Sequence, residues 1–136
     1  MYDTILVAID GSDAANRAGE HARDVAETFD AHLHAVYVVD TGRYGSSMID
    51  GSSGVLDELE DRGAEILDAF AEGIDADLTT EIRHGRPHGE IDAYADEIDA
   101  DLVVLGNRGM GQTPGGEIGS VAERVVRNVG RPVITA

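Results

Sequence analysis

The feature that most constrains the fold is a regular alternation between short apolar runs and longer segments with helical periodicity. Five apolar runs occupy residues 4–9, 33–39, 78–83, 102–105 and 132–135. The first, second and fourth are nearly continuous, as in strands buried on both faces, whereas the third alternates apolar and polar residues like a half-exposed edge strand. The order βαβαβαβαβ predicts an α/β fold, a doubly wound five-stranded parallel sheet with helices on both faces and right-handed crossovers.

The intervening segments carry the start signals and apolar faces expected of helices. Ser12 or Asp13 can cap the first helix, and Pro87 suits the first turn of the third. The second and fourth helices are predicted at about residues 55–72 and 120–128. The inward positions predicted for the first and last helices are Ala18, Ala22, Val25, Phe29, Val121, Val125, Val126 and Val129.

Length and composition predict one globular domain covering residues 1–136. The chain is 42% hydrophobic, has no internal repeat, and contains no apolar run near the roughly 18 residues that a membrane span needs. It has no cysteine, which excludes a disulfide framework and a thiolate metal site. No signal peptide is recognisable at the N-terminus, so we expect a cytoplasmic protein.

The charge of the chain is strongly acidic, with a formal net charge of −17, and its ten basic residues are all arginine. Such an excess argues against binding to nucleic acid or to an anionic membrane. It leaves two interpretations, an acidic partner-binding surface or adaptation to high salt, where the Debye length is roughly 3 Å at 1 M. The acids are spread along the chain, which favours adaptation to salt. Residues 101–136 hold four arginines against three acids and lack the bias.

A glycine-rich segment follows the fourth predicted strand, with the spacing Gly106-x2-Gly109-x9-Gly119-Ser120. A strand, a glycine loop and a helix N-terminus together build an anion site from backbone N–H groups. We expect Gly106 and Gly109 to adopt positive φ and to let the backbone approach a ligand. The segment is neither a P-loop nor a dinucleotide fingerprint, since the chain has no GxxxxGK[ST] and no GxGxxG after strand one. It is predicted to hold the phosphates of a nucleotide.

Three turns lie at the predicted carboxyl ends of strands, at residues 10–12, 39–40 and 106–109. Ligands of doubly wound sheets bind at this edge, where the winding direction reverses. Asp10 is therefore either a functional residue or a turn residue that ends a strand. Ser12 is interpreted as a helix cap rather than a ligand.

The remaining chemistry-bearing side chains suggest no second site. His32 and His34 alternate on a strand and share one face, while His84 and His88 flank a turn. We interpret them as surface or helix-packing histidines rather than metal ligands. Ser120 has no identifiable base, and no Ser/His/Asp arrangement is suggested.

Over its whole length the sequence resembles the universal stress protein family. The matching segments are ILVAIDGS, HAVYVVD, HGRPHGEI, DLVVLGNRG and GSVAERVVRNVGRPVIT. The glycine spacing matches the motif that marks the family's ATP-binding branch. One departure is the spacer MGQTPGGEI, where residues 114–116 replace a leucine-rich run.

The resemblance implies an adenine nucleotide alpha hydrolase-like sheet in the order 3-2-1-4-5, and a homodimer paired through the last strand, from Pro132 to Thr135. It implies ATP, with Mg²⁺ or Mn²⁺, in the cleft between strands one and four. Asp10, after Ile9, would lie near the ribose or the metal–phosphate region, and Val39 or Val38 would meet adenine through the backbone. The residues that would surround ribose and phosphates are Gly106, Arg108, Gly109, Gly119, Ser120 and Val121.

These expectations describe a cytoplasmic, ATP-binding stress-response sensor or regulator rather than a dedicated enzyme. One alternative is a slow metal-dependent ATPase or nucleotide hydrolase that uses Asp10. Another is a nucleotide-free dimeric interaction module whose altered spacer has abolished binding.

Overall fold

The computed structural model describes residues 2–41, 53–107 and 119–136, and every predicted helix and strand is present there. Most of the loop predicted after the second strand lies outside the described residues. In chain order the elements are β1 Thr4–Ala8, α1 Asp13–Phe29, β2 His32–Asp40, α2 Ser53–Ala71, β3 Leu78–Gly85, α3 Pro87–Ile98, β4 Leu102–Leu105, α4 Ser120–Asn128 and β5 Val133–Thr135.

The strands form one parallel sheet in the order β3-β2-β1-β4-β5, which confirms the expected topology. Ile5 of β1 is in register with Leu33 of β2 on one side and with Leu102 of β4 on the other. The chain winds outward from β1 to β3 and then crosses back to β4. The winding direction therefore reverses between β1 and β4, where doubly wound sheets bind ligands.

The core has one layer on each face of the sheet, because the central strands carry apolar side chains on both. Ile5, Val7 and Leu33 pack under α1 and α2. Leu6 and Val103 pack on the opposite face, under α3 and α4. The buried positions of α1 are all small residues, and Ala18, Ala22 and Ala26 have no exposed surface, so this helix can lie close to the sheet.

The helix termini follow the sequence signals. The Ser12 hydroxyl accepts from the Ala15 N–H at 3.1 Å, which confirms Ser12 as the cap of α1. Pro87 occupies the first turn of α3. The longest helix, α2, begins at Ser53, two residues before the predicted start. No helix in residues 2–41, 53–107 and 119–136 has the length and apolar character needed to cross a bilayer.

Two inward predictions are wrong, since Phe29 is 45% exposed and Val126 is 47% exposed. Phe29 is the last residue of α1, where the chain turns towards β2, and its ring packs edge-on against Tyr2 with centroids 5.1 Å apart. The buried stripe of α4 runs through Ala122 and Val125 and leaves Val126 on the flank. Helical periodicity identifies the direction of an apolar face but not its width.

Candidate functional site

The candidate site lies at the carboxyl ends of β1 and β4, which are neighbours in the sheet. Val7 pairs with Val104, so two residues further along each strand Ile9 comes alongside Gly106. The Ile9 side chain is 3% exposed and belongs to the core, and its N–H donates to the Val36 carbonyl at 2.9 Å. The Ile9 side chain therefore packs into the core beneath the candidate site and is not available to contact a ligand.

Asp10 forms the turn that connects β1 to α1. Its Oδ1 accepts from the Ser12 N–H at 2.8 Å, and Gly11 between them has φ +86°, a conformation that favours glycine. The contact makes Asp10 part of the turn, half-buried at the switch point, and the functional role expected of Asp10 stays a prediction. In the described part of the chain no three histidine or acidic side chains converge as a metal site.

Gly106 is needed for close packing, and the positive φ predicted for it is wrong. A Cβ at Gly106 would lie 2.7 Å from the Ala14 carbonyl carbon and 2.8 Å from the Ala15 nitrogen. The glycine therefore lets the end of β4 touch the first turn of α1. This contact brings the Asp10 turn and the β4 end together.

Asn107 follows Gly106 and connects three segments at this edge. Its N–H donates to the Ala136 carbonyl at 2.8 Å, and its own carbonyl accepts from the Gly119 N–H. Its side-chain Oδ1 is buried without a hydrogen-bond partner among the described residues. Sequence reasoning missed this residue, although a polar side chain directly after the glycine that ends a central strand was a usable signal.

The N-terminus of α4 lies beside Asn107. Gly119 is the N-cap and provides no side-chain acceptor, so the N–H groups of Ser120 and Val121 have no acceptor within their own helix. The helix dipole adds partial positive charge at this end. Ser120 is exposed and Val121 half-buried. The Gly119 N–H itself is bonded to Asn107, so the donors left for an anion are those of the next residues.

Val38 and Val39, on the other side of β1, differ in orientation. The Val39 side chain is 2% exposed in the α1–α2 layer, whereas the Val38 side chain packs half-buried in the α3–α4 layer. The Ile9–Val36 bond shows that the backbone of Val36 faces β1. Backbone groups of alternate strand residues point to the same neighbour, so the Val38 backbone also faces β1, beyond its end.

Two of the candidate residues, Arg108 and Gly109, lie outside the described residues, as does the unusual spacer at residues 114–116. The structure thus brings together the Asp10 turn, Gly106 and the start of α4. Val38 lies across β1 from them.

Comparison with known proteins identifies the family. The family model described as "Universal stress protein family" matches residues 1–136. The chain belongs to the universal stress protein family. A universal stress protein of Methanocaldococcus jannaschii is 36% identical over 138 residues, which cover 98% of this chain and 81% of that protein.

Solved universal stress proteins share the fold over nearly the whole chain. The UspA protein from Lactobacillus plantarum is 36% identical, with a TM-score of 0.82 and coverage of 98% of this chain and 97% of that chain. A universal stress protein from Archaeoglobus fulgidus, solved in complex with dAMP, is 25% identical, with a TM-score of 0.65 and coverage of 98% and 97%. The nucleotide-hydrolase-like α/β fold is therefore that of the family.

Proposed function

We propose that this universal stress protein binds ATP, accompanied by Mg²⁺ or Mn²⁺, at the carboxyl edge between β1 and β4. In this proposal it acts in the cytoplasm as a stress-response sensor or regulator. The proposal rests on the hydrogen-bonding groups observed at the start of α4. Its first-turn N–H groups have no acceptor within the helix, and it lies beside the Oδ1 of Asn107, which is buried and has no hydrogen-bond partner among residues 2–41, 53–107 and 119–136. An anion would accept from the N–H groups, whereas the Oδ1 is itself an acceptor and would need a hydroxyl or amino donor of the same ligand.

The phosphates would lie at the start of α4. The exposed Ser120 can add a hydroxyl donor to the backbone N–H groups, and Arg108 and Gly109 are the further candidates that the resemblance supplies. ATP brings about four negative charges to a chain of net charge −17, so helix dipole, arginine and a divalent cation must offset the repulsion. Residues 101–136 carry more arginines than acids, which supports phosphate binding there.

Asp10 fits a supporting role towards the cation. Mg²⁺ is commonly bound through one or two carboxylates together with nucleotide phosphates and water. Asp10 offers one carboxylate, oriented by its bond from the Ser12 N–H. A lone carboxylate of this kind would hold the cation only when a nucleotide is bound, so metal alone is expected to bind weakly.

The adenine would lie on the β2 side of β1. There the backbone of Val38 faces the space beyond the end of β1, and main-chain N–H and C=O groups can read the edge of the base. The dAMP complex of the Archaeoglobus relative supports an adenine nucleotide as the ligand class. Between the two valines that the resemblance left open, the strand geometry favours Val38.

The proposal includes a homodimer through β5. This strand is at the edge of the sheet, and Val133 and Ile134 are only half-buried, so a second copy would satisfy its open backbone and cover apolar surface. It also includes a halophilic setting, because the acidic surface needs screening by salt. Light scattering in molar salt should report a dimer, and a monomer at micromolar concentration would contradict this part.

Two measurements test nucleotide binding. Mass spectrometry of denatured protein, purified without added nucleotide, should detect retained adenine nucleotide. Isothermal titration with Mg-ATP in molar salt should give saturable binding at one site per chain. Absence of binding at millimolar Mg-ATP would refute the proposal and favour a nucleotide-free interaction module. Steady release of ADP that is lost in Asp10→Ala would instead support a slow ATPase.

A further inference from the structure

A second polar cluster lies away from the candidate site, between the β2–β3 edge of the sheet and α3. The rings of His32 and His34 are stacked, with centroids 4.5 Å apart and planes 22° from parallel. His34 Nδ1 shares a hydrogen bond of 3.0 Å with the Tyr94 hydroxyl on α3, and His32 Nε2 shares one of 2.7 Å with Thr79 Oγ1 on β3. The pair is thus held on both sides by neutral hydroxyls.

The carboxylates near the pair are already bonded to one cation. Arg83 contacts Glu81 at 3.1 Å, Glu90 at 2.9 Å and Glu97 at 2.6 Å, and its guanidinium lies 5.3 Å from the Tyr94 ring centroid. Three elements of the described chain surround the pair. β3 contributes Glu81 and Arg83, and α3 contributes Glu90, Tyr94 and Glu97. On the β1 side, Thr4 and Leu6 are in register with the two histidines, and the Asp3 carbonyl accepts from the His32 N–H.

This arrangement disfavours a doubly charged pair. Two imidazolium rings stacked at 4.5 Å repel each other, and the one carboxylate that acts on His34, that of Glu81, is shared with Arg83. A proton on His34 Nδ1 makes this nitrogen a donor, so its bond to Tyr94 then requires the tyrosine hydroxyl to accept.

We propose that the stacked His32–His34 pair is a proton-sensitive latch for α3, which holds the helix on the sheet near neutral pH and weakens that contact in mild acid. Opening of α3 would separate Tyr94 from His34 and expose the His34 ring to water, where it takes up a proton more readily. Because Ile91, Tyr94 and Ala95 of α3 cover one layer of the core, acid would act on that layer before the α1–α2 layer.

The direction of the pKa shift of His34 agrees with a contact that weakens in acid. Burial lowers the pKa of His34 below its ordinary value, the neighbouring His32 lowers it further, and Glu81 offsets part of the effect. Burial also raises the pKa of Tyr94, so its hydroxyl keeps its proton. A base with a lowered pKa in the native state binds fewer protons there than in the opened state. Stability is then complete above the ordinary histidine pKa of about 6.5 and decreases as the pH falls below it.

Hydrogen exchange measured by mass spectrometry tests the latch, with rates corrected for the intrinsic pH dependence. Between neutral pH and about pH 5 in molar salt, the opening equilibrium of α3 should increase by up to tenfold for each pH unit, as expected for one proton, while that of α1 changes little. His34→Gln should abolish this pH dependence in α3. His21→Gln, on the exposed side of α1, is the matched control and should leave it unchanged.

A second readout uses the native protein and does not depend on a variant that folds. NMR titration of the histidine ring protons should show His34 taking up its proton at a pH below the ordinary histidine pKa. The latch is excluded if His34 takes up its proton at the ordinary histidine pKa, or if α3 and α1 respond to acid in parallel. Neither result would decide nucleotide binding, which the titration with Mg-ATP tests separately.

Discussion

The sheet has an amino edge and a carboxyl edge, where its parallel strands begin and end, and the two differ in how their polar groups are hydrogen-bonded. At the amino edge, Asp101 Oδ2 accepts from the backbone N–H groups of Asp3 at 2.9 Å and Thr4 at 3.0 Å. Arg131 donates to the Ala100 carbonyl at 2.8 Å and to Asp99 Oδ1 at 2.9 Å. The shallow depression at this edge is thus surrounded by groups that the chain itself has paired.

At the carboxyl edge the described residues leave polar groups over. The Oδ1 of Asn107 is buried with no partner in the part of the chain that the structure describes, and the N-cap residue of α4, Gly119, makes no side-chain bond. Both edges are formed by the ends of the same strands, so the presence of strand ends does not by itself explain why polar groups are paired at one edge and left over at the other. At the amino edge the chain thus pairs its own polar groups, whereas at the carboxyl edge the described residues leave an acceptor and helix N–H groups for which we propose a ligand.

The largest expected effect comes from filling the contact between β4 and α1. Gly106→Ala would place a methyl group 2.7–2.8 Å from backbone atoms of Ala14 and Ala15, which cannot move aside as a side chain can. We expect a loss of about 3 kcal/mol in the free energy of unfolding, measured by denaturant titration. Gly89→Ala in α3 is the matched control, because its Cβ would meet nothing within 4 Å. It should be neutral or stabilising, and equal losses in both variants would contradict this account of Gly106.

Opening the amino edge should cost less and leave the ligand site intact. Asp101→Ala removes the acceptor of two backbone N–H groups, and we expect a loss of about 2 kcal/mol in unfolding free energy with unchanged Mg-ATP affinity. Asp75→Ala, at an exposed aspartate in the turn before β3, is the control for the loss of one charge. A large change in nucleotide affinity in Asp101→Ala would mean that the two edges are not independent.

The same residue predicts a dependence on acid. Bonds from the backbone N–H groups of Asp3 and Thr4 lower the pKa of Asp101 below its ordinary value. The folded state therefore favours the carboxylate, and this stabilisation is complete above the ordinary aspartate pKa and disappears as the pH falls through the lowered one. Stability curves between neutral pH and about pH 3 should converge for the native protein and Asp101→Ala. Curves that remain parallel would contradict this role.

The smallest expected effect is at the turn that begins α1. Ser12→Ala removes the hydroxyl that caps the Ala15 N–H, which should lower the unfolding free energy by about 1 kcal/mol. Ser12→Asn, which can still accept the bond, should restore most of it. Because the same turn holds Asp10, a small decrease in nucleotide affinity should accompany the alanine variant, and no change in either quantity would contradict the assigned cap.

Much of this fold could be predicted from the sequence, because strand burial and helix caps are local signals. The runs at β1 and β4 and the cap at Ser12 identified their elements directly. The strand order came from family resemblance, since periodicity does not say which strands are neighbours. Phe29 and Val126 were misplaced because the width of a buried helix face depends on what packs against it.

The candidate site was less predictable than the fold. Glycine is required at position 106 because the backbone of Ala15, 91 residues earlier in the chain, lies too close for a side chain. No local sequence pattern reveals that contact. Asn107 matters through bonds to Ala136 and Gly119, and His34 through a bond to Tyr94, 60 residues away. In each case the tertiary structure supplies the partner.

The central claim is that the start of α4 binds the phosphates of a nucleotide. Ser120→Asp places a carboxylate there, where the helix dipole tolerates it, so folding should be unaffected while phosphate is repelled. Asn128→Asp makes the same change in net charge at the other end of α4. Isothermal titration with Mg-ATP in molar salt should show binding to the native protein and to Asn128→Asp, and a loss of about tenfold or more in Ser120→Asp. Equal affinities in all three proteins, or no binding to the native protein, would contradict the claim.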